Sequence, residues 1–144
     1  MTGLELISNY VAAIGRQDCE AMDGYRTADF VLDWVHGDAY DEGMLPGQQF
    51  WQALFAAFPE MDYEVTRTIA AESAVVTQWT FTGTHSQALG RPILESALAA
   101  TGRTVRWRGV SIFDVADGLI QRETIYVDLV TLLVELGVGY ETAV

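Results

Sequence analysis

The chain contains very few of the residues that bind metals or form cross-links. Among 144 residues there is one cysteine, Cys19, and there are two histidines, His36 and His85. A single cysteine excludes an internal disulfide framework, and no HxH, HExxH or CxxC motif is present, so we expect no metal site. The motifs GxGxxG, GxxxxGKS/T and GxSxG are also missing. The sequence therefore predicts chemistry without a metal, a nucleotide or another cofactor, and without an acyl-enzyme serine.

Positive charge is scarce as well. Only eight residues are Lys or Arg, against twenty Asp and Glu, which gives a formal net charge of −12. Such a surface repels the phosphates of nucleic acids and the anionic face of membranes. No apolar run approaches the roughly 18 residues of a membrane-spanning helix, and the N-terminus lacks the basic segment and apolar core of a signal peptide. We therefore expect a cytoplasmic protein that binds neither nucleic acid nor a membrane.

Apolar residues, in contrast, are abundant. They make up 50% of the chain and include four Trp, six Tyr and six Phe. A chain of this length can bury a sizeable core and is expected to form a single domain over residues 1–144. So much aromatic volume in a small domain is typical either of a packed core or of the wall of an apolar pocket.

The spacing of apolar residues predicts four helices. The first carries an apolar stripe made of Leu4, Ile7, Val11 and Ile14. Asp18 is expected to cap the second helix, and Pro59 is expected to stop the third. The predicted ranges are 2–15, 18–25, 45–58 and a terminal helix that ends at residue 137.

Alternation of apolar and polar residues predicts five strands. The clearest alternation covers residues 105–113, and Asp117-Gly118 then supplies a short hairpin turn. Residues 85–102 are expected to form an elaborated loop or brief helix that could act as a flap. The predicted strands are 30–36, 61–71, 74–84, 105–113 and 119–126. This order indicates an α+β fold in which helices cover one face of a curved antiparallel sheet.

Several short motifs occur together in one order along the chain. They are YVAAI at 10–14, AFP at 57–59, FTGTH at 81–85, TGR at 101–103, DGLI at 117–120, Asp128, and LG at 136–137. In this combination they resemble the SnoaL-like polyketide cyclases of the NTF2-like superfamily. The resemblance covers nearly the whole chain. It implies a cone-shaped barrel, in which a curved antiparallel sheet wraps around a long helix, with a deep apolar pocket for a small molecule and a homodimer formed through the outer sheet face.

The resemblance also implies where catalytic groups would stand. Enolising cyclases of the family use a histidine and an aspartate at positions that correspond here to Ser111 and Ile125. Asp128 matches a carboxylate that is common in the family, and it can equally cap the terminal helix. In the ketosteroid isomerases, which share the fold, the oxyanion-binding tyrosine corresponds to Tyr10, the protonated aspartate to Ser111 and the base to Trp34. Only the tyrosine is retained.

Glu123 is the remaining carboxylate on the strand that contains Ile125. The strand period turns both side chains the same way. If they point inward, loss of water contact would raise the pKa of Glu123 and make it a general acid or base. If Glu123 lies at the sheet rim, it would instead pair with Arg106 or Arg122. The sequence leaves both possibilities open.

The first strand supplies two further polar residues. His36 lies on the same face as Trp34, and Asp33 lies on the opposite face. His36 is either a proton-transfer group or a hydrogen-bonded structural histidine. The candidate catalytic residues are therefore Glu123, His36, Tyr10, Asp33 and Ser111. The residues expected to bind substrate are Trp34, Trp51, Phe55, Trp79, Phe81, Trp107, Ile125 and Asp128.

Three functions agree with these residues. The first is a cyclase of polyketide and antibiotic biosynthesis that forms a carbon–carbon ring bond, for example by a cycloaddition-like closure of the indane-forming type, through shape and a few hydrogen bonds. The second is an acid/base isomerase, dehydratase or epoxide hydrolase, with Glu123 or Asp33 as base and His36 or Tyr10 as acid. The third is a non-catalytic protein that binds a small molecule. In each case the expected partner is a small, largely apolar compound.

Overall fold

The structure, a computed structural model, describes residues 1–35, 44–46 and 49–139. Helices in the described residues are α1 Gly3–Gly15, α2 Cys19–Gly24, α3 Gln49–Ala57 and α4 Leu129–Leu136. Strands are β1 Arg26–Val35, β2 Met44–Pro46, β3 Met61–Ala70, β4 Ala74–Thr84, β5 Thr104–Ala116 and β6 Leu119–Val127. The predicted α+β class is confirmed. None of these helices has the length and apolar character needed to cross a membrane.

Local sequence signals set most of the helix ends. Thr2 and Glu5 form a capping box at the start of α1, each side chain accepting a hydrogen bond from the other residue's backbone N–H. Asp18 caps α2 through the backbone N–H of Ala21 over 3.1 Å, as predicted. Gly137 follows α4 with φ of 75°, a left-handed conformation that glycine adopts without strain. The predicted stop at this glycine is confirmed.

The strands form one sheet in the order β2-β1-β6-β5-β4-β3. Neighbouring strands are antiparallel except for β1 and β6, which are parallel. That pair departs from the antiparallel sheet expected from the sequence. The strands β3, β4, β5 and β6 follow one another as antiparallel neighbours, whereas a long stretch of chain separates β1 from β6 and permits the parallel pairing.

Two elements start several residues away from their predicted boundaries. The strand predicted at 30–36 begins earlier, at Arg26. The helix predicted at 45–58 begins at Gln49, because residues 44–46 form β2 and pair with β1 from Asp33 to Val31. Residues 44–46, which the aromatic spacing assigned to the helix, therefore pair with β1 at the edge of the sheet.

One face of the sheet packs against the helices. Side chains of β4, β5 and β6 alternate between this inner face and the outer face, as the period of the strands predicts. Cross-strand pairing places the inner residues in rows, and α1 lies across β3 and β4. The rows are Tyr63–Phe81–Trp107, Thr77–Ser111–Ile125–Trp34 and Val75–Phe113–Glu123–Leu32.

Residues 85–102 pack back onto this core. Leu89, Ile93 and Leu94 are fully buried, and the backbones of Leu89 and Leu98 exchange hydrogen bonds of 2.9 and 2.8 Å. The Nδ1 atom of His85 accepts the backbone N–H of Thr101 over 3.2 Å. His85 thus holds the two ends of the segment together. A role for the segment as a flap stays a prediction.

Candidate active site

Glu123 lies on the inner face of β6 and is fully buried. Ile125, two residues further along the strand, is buried on the same face. Of the two directions that the sequence left open for Glu123, the structure shows the inward one. Pairing with Arg106 or Arg122 at the sheet rim does not occur, since Arg122 contacts Asp33 on the outer face and Arg106 is exposed.

Two donors from different helices bind the carboxylate of Glu123. The hydroxyl of Tyr10, on α1, donates to Oε1 over 2.6 Å, and Nε1 of Trp51, on α3, donates to Oε2 over 2.9 Å. Each carboxylate oxygen accepts up to two hydrogen bonds, so each keeps a second acceptor position. Three elements that are distant in sequence meet at this one side chain.

Arg26 completes the arrangement from the start of β1. Its Nε and Nη2 atoms donate to the Tyr10 hydroxyl over 3.1 and 2.5 Å, and its Nη1 donates to Asp23 over 3.3 Å. The side chain of Arg26 is only 3% exposed, and its guanidinium lies 4.3 Å from the centre of the Phe30 ring. Tyr10, Arg26, Trp51 and Glu123, named below the Glu123 cluster, thus join a buried cation to a buried carboxyl group through one hydroxyl.

Burial and charge act in opposite directions on this carboxyl group. Removal from water raises the pKa of Glu123 above the ordinary 4.5, while the Arg26 charge and the hydrogen bonds from Tyr10 and Trp51 lower it. For Tyr10, burial and then the charge of Glu123 raise the pKa well above 10. Tyr10 therefore keeps its proton near neutral pH and remains a hydrogen-bond donor.

Aromatic side chains surround the Glu123 cluster. Trp51 stacks on Phe55 with ring centres 5.9 Å apart and lies 6.2 Å from Trp79. Trp107 meets Trp79 edge to face at 5.7 Å and Phe81 at 5.8 Å. The structure brings together in one buried cluster the aliphatic and aromatic residues predicted to bind substrate, namely Trp34, Trp51, Phe55, Trp79, Phe81, Trp107 and Ile125. Their role in binding stays a prediction.

Ser111 lies on the same inner face. It is fully buried, and its Oγ accepts the indole N–H of Trp79 over 2.9 Å. The backbone of Gly109 leaves space for that indole, because a Cβ atom at Gly109 would lie 2.3 Å from Cζ2 of Trp79. The serine predicted as a polar group in the interior is therefore oriented by a neighbouring tryptophan.

Asp33, one of the predicted catalytic residues, does not contact the Glu123 cluster. Asp33 lies on the opposite face of β1 from Trp34, and its carboxylate binds the Arg122 guanidinium over 2.6 Å. Asp33 thus lies on the face that the strand period predicted, and its role as a base stays a prediction. His36 lies outside the described residues.

Asp128 precedes α4 and caps it. One of its oxygens accepts the backbone N–H of Thr131 over 3.1 Å, and the other accepts the Thr131 hydroxyl over 2.6 Å. These two hydrogen bonds lower the pKa of Asp128 from the ordinary 3.8. Of the alternatives that the sequence left open, the helix cap is the one that the structure shows.

Replacing Asp128 by Ala is expected to lower the free energy of unfolding by about 1 kcal/mol, the usual effect of losing an N-cap. Because the folded-state pKa of Asp128 is lowered, its contribution is present above the unfolded value of 3.8 and is lost as the pH falls through the folded value. Urea unfolding at pH 7 measures the loss, with Asp128→Asn as the control that keeps a capping oxygen. An unchanged midpoint for Asp128→Ala would contradict the cap.

The outer face of the sheet has cavities. One of about 400 Å³ lies beside Arg108, Tyr126 and Asp128, and another of about 500 Å³ lies beside Asp114 and residues of β1 and β6. Neither is lined by the Glu123 cluster. Within residues 1–35 and 49–139, no group of three His, Cys, Asp or Glu side chains is close enough to hold a metal ion.

Comparison with known proteins identifies the family. A sequence model of the SnoaL-like polyketide cyclases matches residues 5–136. The chain belongs to the SnoaL-like polyketide cyclase family. No curated protein matches this SnoaL-like chain in sequence.

Solved structures with the SnoaL-like fold agree. IdmH from Streptomyces antibioticus, described as a proposed polyketide cyclase, shares 26% identity with a TM-score of 0.72, over 93% of this chain and 97% of that one. A proposed SnoaL-like polyketide cyclase from Jannaschia sp. CCS1 shares 19% identity with a TM-score of 0.77, over 94% and 92%. AclR from Streptomyces galilaeus, described as a proposed hydroxylase, shares 24% identity with a TM-score of 0.73, over 92% and 83%. The predicted NTF2-like fold is confirmed.

Arg26 is the member of the Glu123 cluster that the sequence did not indicate. A signal was present, however. Arg26, Phe30, Leu32 and Trp34 are all buried on one face of β1. A strand predicted to begin at residue 26 would have placed Arg26 on the same face as Trp34, inside the fold. Arg26 was missed because β1 begins earlier than the strand that the sequence predicted.

Proposed function

We propose that this protein is a cyclase of polyketide natural-product biosynthesis that closes a carbon–carbon ring bond in the apolar interior between the sheet and the helices. The observation that carries the proposal is the buried Glu123 cluster within a wall of aromatic side chains, in a chain of the SnoaL-like polyketide cyclase family. The substrate is a small, largely apolar polyketide-like compound.

The aromatic wall supports ring closure by shape. The Trp79 indole packs against Trp51 at a tilted angle and against Trp107 edge to face. The three rings therefore hold one another in fixed orientations. Holding a flexible chain in a reactive fold removes much of the entropic barrier, by several kcal/mol in well-oriented reactions, roughly 7–11 at most. The Glu123 cluster then supplies the polar contact that orients a substrate oxygen or proton.

A second candidate is an acid/base isomerase, dehydratase or epoxide hydrolase, and the environment of Glu123 favours it. Burial raises the pKa of this carboxyl group, and each of its oxygens keeps an acceptor position that a substrate proton could use. The ionised carboxylate would be the active form. Activity would then increase with pH through a value above 4.5, the ordinary pKa of glutamate.

Glu123→Gln separates the two candidates. If shape drives ring closure, we expect the rate to fall by about tenfold or less and Trp107→Ala to cause the larger loss. If Glu123 transfers protons, we expect a loss of about 10²- to 10⁴-fold. The rates are measured by mass spectrometry on a panel of linear polyene ketones and poly-β-ketone thioesters, with thermal melting to verify that each variant is folded.

Outer-face variants provide the matched control for this experiment. Glu64→Gln makes the same change at an exposed carboxylate of β3, and we expect wild-type rates from it. Compounds that bind to the protein and return unchanged after incubation at high protein concentration would contradict both enzymatic candidates and would favour a carrier.

A further inference from the structure

Tyr63 presents a buried hydroxyl that has no hydrogen-bond partner in the described residues. Its side chain lies on the inner face of β3 and is 9% exposed. The ring meets Trp51 edge to face at 5.4 Å and lies 5.3 Å from Trp79. Buried polar groups are usually satisfied, and an unpaired hydroxyl in such a place is a candidate for binding a ligand atom.

The Ser111 hydroxyl is connected to Tyr63 through Trp79, whose ring packs against the Tyr63 ring and whose N–H binds Ser111. It opposes the rise in the pKa of Tyr63 that burial and the charge of Glu123 produce. The Oγ of Ser111 accepts the Trp79 indole N–H over 2.9 Å. An indole N–H is a donor only, so it cannot accept the proton of either hydroxyl. Tyr63, Ser111 and Trp79 therefore form one polar group inside the aromatic wall.

The group carries more hydroxyl protons than it offers acceptors for them. The Tyr63 hydroxyl makes no hydrogen bond to the described residues, and the Ser111 hydroxyl is bound as an acceptor. Each hydroxyl carries one O–H proton that it can donate. An O–H proton is therefore left without an acceptor among the described residues.

We propose that Tyr63 and Ser111 form a hydrogen-bond donor site for a neutral carbonyl oxygen of the substrate. This inference rests on the proposed function, because it takes the interior beside the Glu123 cluster as the place where substrate binds. Trp51 connects the two places, since its N–H binds Glu123 and its ring contacts Tyr63. Tyr63 is therefore a binding residue that the sequence did not indicate.

The surroundings select the chemical class of the ligand. Aromatic rings on two sides favour a flat, apolar ring system next to the carbonyl group. The charge of Glu123 acts on Tyr63 and would repel a carboxylate or another anion. A ketone conjugated to a ring meets both conditions.

Calorimetric titration of the full chain with three small probes tests the proposal. The probes are 1-tetralone, a bicyclic aryl ketone; tetralin, the same skeleton without the oxygen; and 1-naphthoate, a bicyclic carboxylate. We expect tetralone to bind about tenfold more tightly than tetralin, the usual effect of one hydrogen bond in a desolvated site. Naphthoate should bind more weakly than tetralone.

Variants show which residues cause tetralone to bind more tightly than tetralin. Tyr63→Phe should weaken tetralone binding about tenfold and leave tetralin binding unchanged. Ser111→Ala should reduce the same preference, and it provides the result if Tyr63→Phe does not fold. Tyr126→Phe removes a hydroxyl from a half-exposed tyrosine on the outer face and should change neither affinity.

A structural readout accompanies the titrations. Tyr63→Phe should not lower the melting temperature, because the lost hydroxyl has no partner, whereas Tyr10→Phe should lower it, because that hydroxyl binds Glu123 and Arg26. The proposal is overturned if tetralone binds no more tightly than tetralin, if Tyr63→Phe and Ser111→Ala keep the preference, or if naphthoate binds best. Ketone binding that depends on Tyr63, without any ring-forming activity, would support this site while contradicting the proposed cyclase.

Discussion

Replacing Arg26 by Met is expected to lower the free energy of unfolding by about 3–5 kcal/mol at pH 7. The guanidinium is almost completely buried and binds the Tyr10 hydroxyl, which in turn binds the fully buried Glu123. Without Arg26, the carboxylate of Glu123 keeps the hydrogen bonds of Tyr10 and Trp51 but loses its buried counter-charge. An uncompensated buried charge is among the most costly changes that a single substitution produces.

The cost of Arg26→Met should depend on pH with a defined sign. Arg26 lowers the pKa of Glu123, so its removal raises the folded-state pKa further above the unfolded value of 4.5. A carboxyl group with a raised folded-state pKa contributes most to stability below its unfolded pKa, and that contribution is lost as the pH rises through the folded value. The difference between variant and wild type should therefore be large at pH 7 and small below pH 4.5.

Urea unfolding followed by tryptophan fluorescence measures this difference across the pH range. The double variant Arg26→Met with Glu123→Gln removes the titrating group and should lose the pH dependence. Arg122→Met is the matched control, because Arg122 pairs with Asp33 and is 39% exposed; exposed pairs contribute about 0–1 kcal/mol. A cost for Arg26→Met that is the same at pH 4 and pH 8 would show that Glu123 is not ionised in the folded protein.

Gly109→Ala is expected to destabilise the fold by about 3 kcal/mol or more, as overpacking of a filled core does. A Cβ atom at this position would lie 2.3 Å from Cζ2 of Trp79 and 2.7 Å from both Cε2 and Cη2. The indole cannot move away freely, since Tyr63 and Trp107 pack against it and Ser111 binds its N–H. Accommodating the methyl group therefore requires movement of several packed side chains.

Thermal and urea unfolding measure the effect of Gly109→Ala. Gly24→Ala is the control, because nothing lies within 4 Å of a Cβ atom built at that glycine. We expect Gly24→Ala to melt near the wild-type temperature and Gly109→Ala to melt well below it. Since Trp79 also orients Ser111, the folded fraction of Gly109→Ala should bind 1-tetralone less tightly. Wild-type stability of Gly109→Ala would refute the close packing of Trp79 on the β5 backbone.

Much of the fold follows from patterns that are local in the chain. The alternation along β5 and β6 predicts which side chains face inward, and Trp107, Ser111 and Ile125 are all buried as that alternation requires. Capping residues and the glycine after α4 set helix ends by hydrogen bonds within a few residues. Such signals need no information about distant parts of the chain.

The candidate site is less accessible from the sequence, because its contacts join distant residues. The two-residue repeat of β6 allowed Glu123 to point inward, but a position at the sheet rim beside an arginine remained an alternative. The pairing of β1 with β6 removed that alternative, because it brings Arg122 to Asp33. Arg26 was missed because β1 begins before the apolar alternation becomes clear. Tyr63 gave no signal, since an unpaired hydroxyl is recognised only when all neighbouring atoms are placed.

By itself, the sequence determined the family, the α+β class, the inward face of the long strands and the scarcity of polar groups within that face. These properties depend on residue type and on the repeat of the backbone, which are local. Only the tertiary structure decided that Tyr10, Arg26, Trp51 and Glu123 meet, and that Tyr63 packs against Trp79, which binds Ser111. Those contacts exist because α1 and α3 pack against one face of the sheet, where β1, β3, β4, β5 and β6 place their side chains. Burial there strengthens each hydrogen bond and each charge interaction.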